Sequence, residues 1–250
     1  MSDIQVSLFG SFAHPDKWLK FFEGWRMNTV KYEIIVAGPH LPDFELPPEV
    51  RFIHVQPDPG PCHCAHIAAR QCTGETMILL GDDCLHSPFY LDKMYAKHKE
   101  GNDYKCMPMP RWCGANGTKA ANEMSDLKPE NDITDSFWEI QKIPGRTDIV
   151  WGFPLWSRKF FWELGGFDRR FGGGPFEADL MLRAYSRGGW YTYVYDAFIS
   201  EPLGPESRAW NTWHGKDDIE TLMWQRWHSN SIQLGGFILD EPRTPFEPID

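Results

Sequence analysis

Short apolar runs alternate with segments of helical spacing through the first 80 residues. The apolar runs predict buried strands at residues 4–9, 32–37, 50–55 and 76–80, and the helical spacing predicts helices at residues 14–28 and 64–72. Strands that alternate with helices are typical of βαβ units and of a mainly parallel sheet flanked by helices. Because ligands bind at the carboxyl ends of strands in such sheets, we expect a functional site where these strands end.

The pattern changes in the second half of the chain. From residue 105 to residue 146, Pro, Gly, Asn and isolated charges dominate, which predicts a long irregular excursion that faces the substrate. Order returns at residues 149–156. We then expect helices at residues 157–164 and 177–187, a strand at 190–198, a helix at 217–227 and a Pro-rich tail at 241–250.

Composition excludes some classes of function. The formal net charge is −10, and general binding to nucleic acid needs a surplus of Lys and Arg, so we do not expect it. The chain has twelve Trp, whose flat apolar faces stack on sugar and base rings, although core packing accounts for most of them.

Several further features predict a cytoplasmic protein. The sequence has no unbroken apolar run of the roughly 18 to 20 residues that a transmembrane segment needs. Residues 1–16 lack the charged start, apolar run and cleavage site of a signal peptide. Six cysteines in such a chain favour thiols over a disulfide framework.

The first candidate chemistry is the pair Asp82 and Asp83, directly after the strand predicted at residues 76–80. Adjacent carboxylates repel each other unless a cation or hydrogen-bond donors compensate them. Mg²⁺ and Mn²⁺ bind carboxylates together with diphosphate oxygens, so the pair indicates a metal site. The alternative is a turn in which an Asp caps a helix.

A second acidic pair, Glu177 and Asp179, follows a glycine run at the start of a predicted helix. Carboxylates at that end of a helix are stabilised by the helix dipole, and this suits a general base. The alternative is a simple cap with acids in the first turn. Further along, Trp213 and His214 lie in a polar segment, where the histidine is either a metal ligand or part of a surface pair.

A cluster of sulfur and imidazole side chains lies on and just before the second predicted helix. Its members are Cys62, His63, Cys64, His66 and Cys72. Close Cys and His residues can bind zinc, but Cys-x-Cys lacks the usual spacing of two to four residues between ligands. We therefore interpret these cysteines as small side chains that pack against the sheet.

The order of the motifs resembles that of the family-2 glycosyltransferases, which have the nucleotide-binding GT-A fold. The matching motifs are Thr-Gly-Glu at residues 73–75, the acidic turn at 81–83, Gly-Gly-Phe-Asp at 165–168 and Asp-Leu-Met-Leu-Arg at 179–183. The resemblance covers roughly residues 4–214. It implies one GT-A domain over residues 1–215, with a nucleotide-binding half (1–100) and an acceptor half (105–215), followed by a C-terminal helix and tail (216–250).

The resemblance also implies roles for single residues. Asp83 matches the metal ligand of the family's DxD motif, and Gly81 stands where the first Asp contacts the ribose. Asp82 has the middle position and is expected to bind the nucleotide-sugar donor. His214 is similar to the additional metal ligand. Glu177 matches the catalytic carboxylate of inverting members, with Asp179 as the competing assignment.

Trp151 and Gly152 would line the donor or acceptor pocket. Gly10 and Ser11 end the first strand, and Gly38 ends the second, at positions where the family binds the nucleotide. At these two strand ends the family's Pro-Thr and its acidic pair are replaced by other residues. The resemblance therefore does not indicate which nucleobase the donor carries.

We therefore expect an inverting, hexosyltransferase-type enzyme that depends on Mn²⁺ or Mg²⁺ and uses a nucleotide-sugar donor, with a UDP-sugar favoured. Its acceptor hydroxyl would belong to a glycan, a protein or a modified nucleobase. One alternative is an inactive GT-A module that binds carbohydrate or nucleotide. A nucleotidyltransferase is another, but residues 10–15 lack the Gly-rich phosphate loop with a basic residue that such an enzyme would show.

Overall fold

The computed structural model describes residues 3–82, 84–113, 133–134, 138–141, 149–151, 153–171 and 176–200. For residues 113, 133–134, 138–141 and 149–151 it describes the backbone alone. The predicted helix at 217–227 and the tail at 241–250 lie outside the described residues.

The helices and strands alternate for most of the described chain. In order they are β1 (Val6–Ser11), α1 (Pro15–Trp25), β2 (Tyr32–Gly38), β3 (Val50–His54), α2 (Pro61–Arg70), β4 (Thr76–Leu79), β5 (Leu85–His86), α3 (Tyr90–Gly101), β6 (Cys106–Cys113), β7 (Ile133–Thr134), β8 (Trp138–Gln141), β9 (Ile149–Trp151), β10 (Leu155–Ser157), α4 (Arg158–Glu163), α5 (Phe176–Ser186) and β11 (Trp190–Ser200). A short 3-10 helix, Arg169–Phe171, precedes α5.

The main sheet has five strands in the order β10-β4-β1-β2-β3. The four strands from β1 to β4 are parallel, and β10 joins β4 antiparallel. The predicted parallel sheet flanked by helices is confirmed. Helix α2 begins three residues earlier than the pattern predicts, because Pro61 takes the first helical position, where a missing N–H costs nothing.

A second sheet has the order β5-β11-β6-β7, and β8 pairs with β9. The prediction of an irregular excursion from residue 105 is therefore wrong for residues 106–113, which form β6 and pair in parallel with β11. Pro108 and Pro110 interrupt the strand signal, since proline cannot donate to a ladder. Because Pro108 and Pro110 are two residues apart, both missing N–H groups lie on the same side of the strand. The side chains of Met107 and Met109 pack in the core.

Apolar side chains pack on both faces of the main sheet. Helices α1 and α3 cover one face, with Trp18, Trp25 and Tyr90 fully buried, and α2, α4 and α5 cover the other. The buried side of α1 repeats Trp18, Phe21, Phe22 and Trp25 at helical spacing, as is typical of a helix that packs on a sheet. Burying each of these large side chains contributes about 2–3 kcal/mol.

Five described cysteines are free thiols, and all five are buried: Cys62, Cys64, Cys72, Cys84 and Cys106. Burial raises the pKa of Cys64 and of Cys106 to about 11. Burial also raises the pKa of Cys62 and Cys72. These side chains serve as packing groups in the core. No helix in the described ranges is long and apolar enough to cross a bilayer.

Candidate active site

The parallel strands end at one edge of the main sheet, and two glycines let their backbones meet there. A Cβ atom on Gly10 would lie 2.1 Å from the Leu80 carbonyl oxygen, and one on Gly38 would lie 2.0 Å from the Phe12 carbonyl oxygen. Backbone hydrogen bonds from Phe12 to Ala37 (2.9 Å) and from Leu80 to Phe9 (3.0 Å) close these contacts. Both glycines are therefore needed for packing at the edge, and their predicted contact with a nucleotide stays a prediction.

Ser11, the last residue of β1, lies beside α2. Its hydroxyl is hydrogen-bonded to the Cys64 thiol, which slightly opposes the rise that burial causes in the pKa of that thiol. The predicted nucleotide contact of Ser11 is likewise untested.

Asp82 follows β4 and is surrounded by hydrogen-bond donors from the loop between β1 and α1. Its Oδ2 accepts from the backbone N–H groups of Ala13 (2.7 Å) and His14 (2.6 Å) and from Trp18 Nε1 (3.0 Å). Its Oδ1 lies 2.9 Å from His14 Nδ1. Burial alone would raise the pKa of Asp82, but the bonds from His14 and Trp18 outweigh it and lower the pKa. Asp82 is thus a buried carboxylate that holds the loop after β1, and its predicted contact with the donor stays a prediction.

Glu177 lies in different surroundings, in the first turn of α5. It forms one side of a small pocket whose other walls are apolar: Leu79, Phe153, Pro154, Trp156, Phe167, Leu180 and Met181. Burial raises the pKa of Glu177 to about 7. A carboxylate with that pKa can accept a proton near neutral pH, which suits a general base.

Asp179, two residues further along α5, is fully buried. Its Oδ2 accepts from Arg183 Nε at 2.9 Å. The other nitrogens of Arg183 donate to the carbonyl oxygens of Leu164 (2.5 Å) and Gly166 (2.7 Å). Asp179 and Arg183 therefore join α5 to the turn that follows α4, and this is a structural arrangement.

The pocket brings Glu177 to the end of β4, because Leu79 is the last residue of that strand. Trp151 ends β9, which lies beside α5, so its backbone is near the same helix. Gly152, Asp83 and His214 lie outside the described residues, and their predicted roles stay predictions.

The part of the chain that the structure describes contains no group of three or more side chains arranged to hold a metal ion. It does place His14 beside Asp82 at the edge, and an imidazole that is hydrogen-bonded to a carboxylate has the chemistry of a metal ligand. These two described residues alone do not form a cation site, and the ligands predicted from the sequence, Asp83 and His214, lie outside the described residues.

Sequence reasoning missed two participants. His14 was predicted only as the start of a helix, and its contact with Asp82 spans 68 positions, so no local pattern indicates it. Arg183 could have been found, because an Asp and an Arg four residues apart lie on the same side of a helix.

Solved structures share this architecture at low sequence identity. GalNAc-T7, solved with UDP, GalNAc and Mn²⁺, matches with a TM-score of 0.62 and 15% identity over 91% of this chain and 49% of that chain. Residues 1–349 of TarS from S. aureus match with a TM-score of 0.57 and 11% identity over 78% of this chain and 60% of that chain, and the complex with UDP gives the same values.

The chain has the GT-A fold. It spans about half the length of the GalNAc-T7 chain. No protein-family model and no curated protein matches the sequence, so membership of family 2 stays a prediction.

Proposed function

We propose that this protein is a glycosyltransferase that moves a sugar from a nucleotide-sugar donor to an acceptor hydroxyl. The observation that carries the proposal is Glu177, which lies in an apolar pocket next to the end of β4 and has a pKa of about 7. The GT-A fold supports the reaction class, because its sheet edge is where such a donor would bind.

Glu177 is the proposed base. It would take the proton of the acceptor hydroxyl while that oxygen attacks the anomeric carbon of the sugar. The bond from the anomeric carbon to the diphosphate breaks in the same step, and the nucleoside diphosphate leaves with the electron pair. One direct displacement inverts the anomeric centre.

Asp179 is the weaker candidate for the base. Its carboxylate already forms an ion pair with Arg183 inside the protein, so proton transfer to it would leave a buried cation unpaired. We therefore assign the chemistry to Glu177 and a supporting role to Asp179.

The donor would bind along the edge formed by Gly10, Ser11, Gly38 and the acidic turn after β4, with Trp151 and Gly152 nearer the sugar. UDP in two of the matching structures supports a UDP-sugar. Mn²⁺ in one of them supports a divalent cation, for which Asp83 and His214 are the predicted ligands. When bound, the cation would neutralise the leaving diphosphate.

The acceptor is proposed at the level of its reacting group, a hydroxyl. A glycan, a protein side chain and a modified nucleobase all carry one, and a cytoplasmic location remains a prediction.

The test is thermal unfolding with a panel of nucleotides and nucleotide sugars, each with and without Mn²⁺. A ligand at 100 times its Kd stabilises the folded state by about 2.7 kcal/mol, which is easily measured. We expect stabilisation by one nucleotide and slow release of free sugar from the matching nucleotide sugar. Stabilisation without sugar release or transfer would indicate a binding module, and stabilisation by no nucleotide would contradict the proposal.

A further inference from the structure

The pocket beside Glu177 has a narrow entrance formed by two residues. Six of its eight lining residues are buried, and only Phe153 and Glu177 are partly exposed. We call these two residues the mouth of the pocket. A molecule that comes from solvent to the Glu177 carboxylate therefore meets the phenyl ring of Phe153 on its way.

The ring of Phe153 is held from behind. It packs against the core clusters on both faces of the main sheet, and its centroid lies 5.4 Å from that of the Trp112 ring. These contacts fix the ring while part of its surface stays open to solvent. A fixed aromatic face of this kind favours the stacking of another flat ring.

The size of the pocket limits which hydroxyl can reach Glu177. Its cavity volume is about 10 Å³, which is roughly the room that one water molecule needs. A hydroxyl group can enter such a space, but a six-membered ring cannot. The oxygen of a phenol is bonded directly to its ring and would have to bring the ring inside. A hydroxymethyl group has one carbon between the oxygen and the ring, so the ring stays at the mouth.

The polarity of the pocket limits the carrier of that hydroxyl. Among the described side chains that line it, Glu177 alone carries oxygen, so a second hydroxyl would find no further side-chain oxygen to which it could donate. A hydroxyl buried without a partner costs about 1–3 kcal/mol. Sugars carry hydroxyls on neighbouring carbons and would bring them against these apolar walls. A carrier without hydroxyls next to the reacting group avoids this cost.

We propose that the acceptor is an arylmethanol, in which one carbon joins a primary hydroxyl to a flat aromatic or heteroaromatic ring that stacks on Phe153. The inference rests on the proposed function and names the class of its acceptor. The hydroxymethyl oxygen bonds to the anomeric carbon, its proton passes to Glu177, and the nucleoside diphosphate leaves with the electron pair. Phe153 contributes to the binding of the acceptor and not to the proton transfer.

The experiment gives the full chain four acceptors with each member of a panel of nucleotide sugars. Benzyl alcohol and 5-hydroxymethyluracil are arylmethanols, and they distinguish a plain aromatic carrier from a nucleobase. Phenol lacks the extra carbon, and methyl glucoside has a primary hydroxyl on a carrier that is neither flat nor apolar. The release of nucleoside diphosphate gives the rate, and mass spectrometry identifies the glycosylated product.

We expect transfer to benzyl alcohol, to 5-hydroxymethyluracil or to both, and the better acceptor identifies the carrier. Transfer to phenol and to methyl glucoside should be slower by about 10-fold or more, because each places a group in the pocket that does not fit or is left without a hydrogen-bond partner.

Variants of Phe153 test the stacking. Phe153→Leu keeps an apolar side chain but loses the flat ring, so the KM for the better arylmethanol should rise about 3- to 10-fold with a smaller change in kcat. Phe153→Tyr keeps the ring and should have a KM near that of wild type. Phe44→Leu is the matched control, because Phe44 is another partly buried phenylalanine and packs on Trp18 of α1. It should behave as wild type, and thermal unfolding reports whether each variant is folded.

Equal rates of transfer to phenol or methyl glucoside and to the arylmethanols would overturn the inference. So would release of sugar from the donor without transfer to either arylmethanol, or an unchanged KM in Phe153→Leu. In these three cases the proposed function stands. The absence of sugar release from every donor, with or without an acceptor, would refute the proposed function and this inference with it.

Discussion

The acidic turn after β4 and the first turn of α5 look alike in sequence but differ in their surroundings. At the first, Asp82 is enclosed by three N–H donors and an imidazole, and its pKa is lowered. At the second, Glu177 has mainly apolar neighbours, and its pKa rises to about 7. Both side chains are carboxylates near the same edge of the sheet. The number of donors around each one decides whether it holds the fold or can exchange a proton.

The first turn of α5 repeats the contrast within three residues. Asp179 forms an ion pair with Arg183, whereas Glu177 faces the pocket. A short acidic motif therefore contains one structural and one chemical carboxylate, and the helix separates them by turning them in different directions.

The largest expected effect follows the loss of the proton acceptor. Glu177→Gln keeps the shape of the side chain but removes the base, so we expect sugar transfer to fall about 10²- to 10⁴-fold. The measurement is the kcat for transfer or for release of sugar from the donor. Nucleotide affinity serves as the control and should stay within twofold of wild type. Normal turnover in this variant would mean that another residue is the general base.

Asp179→Asn tests the other member of the pair. The change leaves the Arg183 guanidinium buried without its counter-charge, which should cost about 3–5 kcal/mol of unfolding free energy. Urea unfolding measures the loss. The double variant Asp179→Leu with Arg183→Met should lose less than the sum of the single changes, because the two residues are coupled. A loss below about 1 kcal/mol in Asp179→Asn would contradict the structural role.

Asp82→Asn should destabilise the protein by about 2 kcal/mol, because an amide cannot accept all the hydrogen bonds that the carboxylate accepts. For a chain of this size, the expected change in Tm is a decrease of about 4–8 °C. Asp43→Asn, at an exposed carboxylate, is the matched control and should leave Tm nearly unchanged. Equal values of Tm for the two variants would argue against the loop-holding role of Asp82.

The smallest effect is a pH dependence that Glu177 gives to stability. Its pKa is raised from 4.5 to about 7 in the folded state, so the folded protein binds more protons than the unfolded chain between these values. The contribution of Glu177 to the free energy of unfolding is therefore complete below pH 4.5 and is lost as the pH rises through 7. The size of this loss is on the order of 1–2 kcal/mol, after allowance for the partial exposure of the side chain. Glu177→Gln should remove this slope from urea unfolding measured between pH 5 and pH 8. If the unfolding free energies of wild type and variant depended on pH with the same slope, another group would be responsible for the pH dependence.

Much of the fold was predictable because its signals are local. The strands β1 to β4 are apolar runs that end near Gly, Pro or polar residues, and their predicted bounds agree within about two residues. Helix α3 lies in a stretch for which the hydrophobic pattern makes no prediction. The left-handed conformation of Phe89, the residue before α3, is not a usual start signal.

The site was predictable in location but not in detail. The motifs place acidic residues after the end of β4 and at the start of α5. In the structure, Glu177 of α5 lines the same pocket as Leu79, the last residue of β4. The choice between Glu177 and Asp179 depends on Arg183 and on apolar residues from three other segments. The task of Asp82 depends on His14, which is far away in sequence. Such contacts form only when the chain folds, so residue types and spacing cannot reveal them.

The five buried thiols of the described residues can report which parts of the protein open transiently. They are distributed over α2, the turns after α2 and β4, and the start of β6. A thiol reagent can reach each of them only while the surrounding segment is transiently open, so its rate of reaction measures the free energy of that local opening. Mass spectrometry of partly labelled protein would then rank these segments by the order in which they open, without the introduction of a single foreign residue.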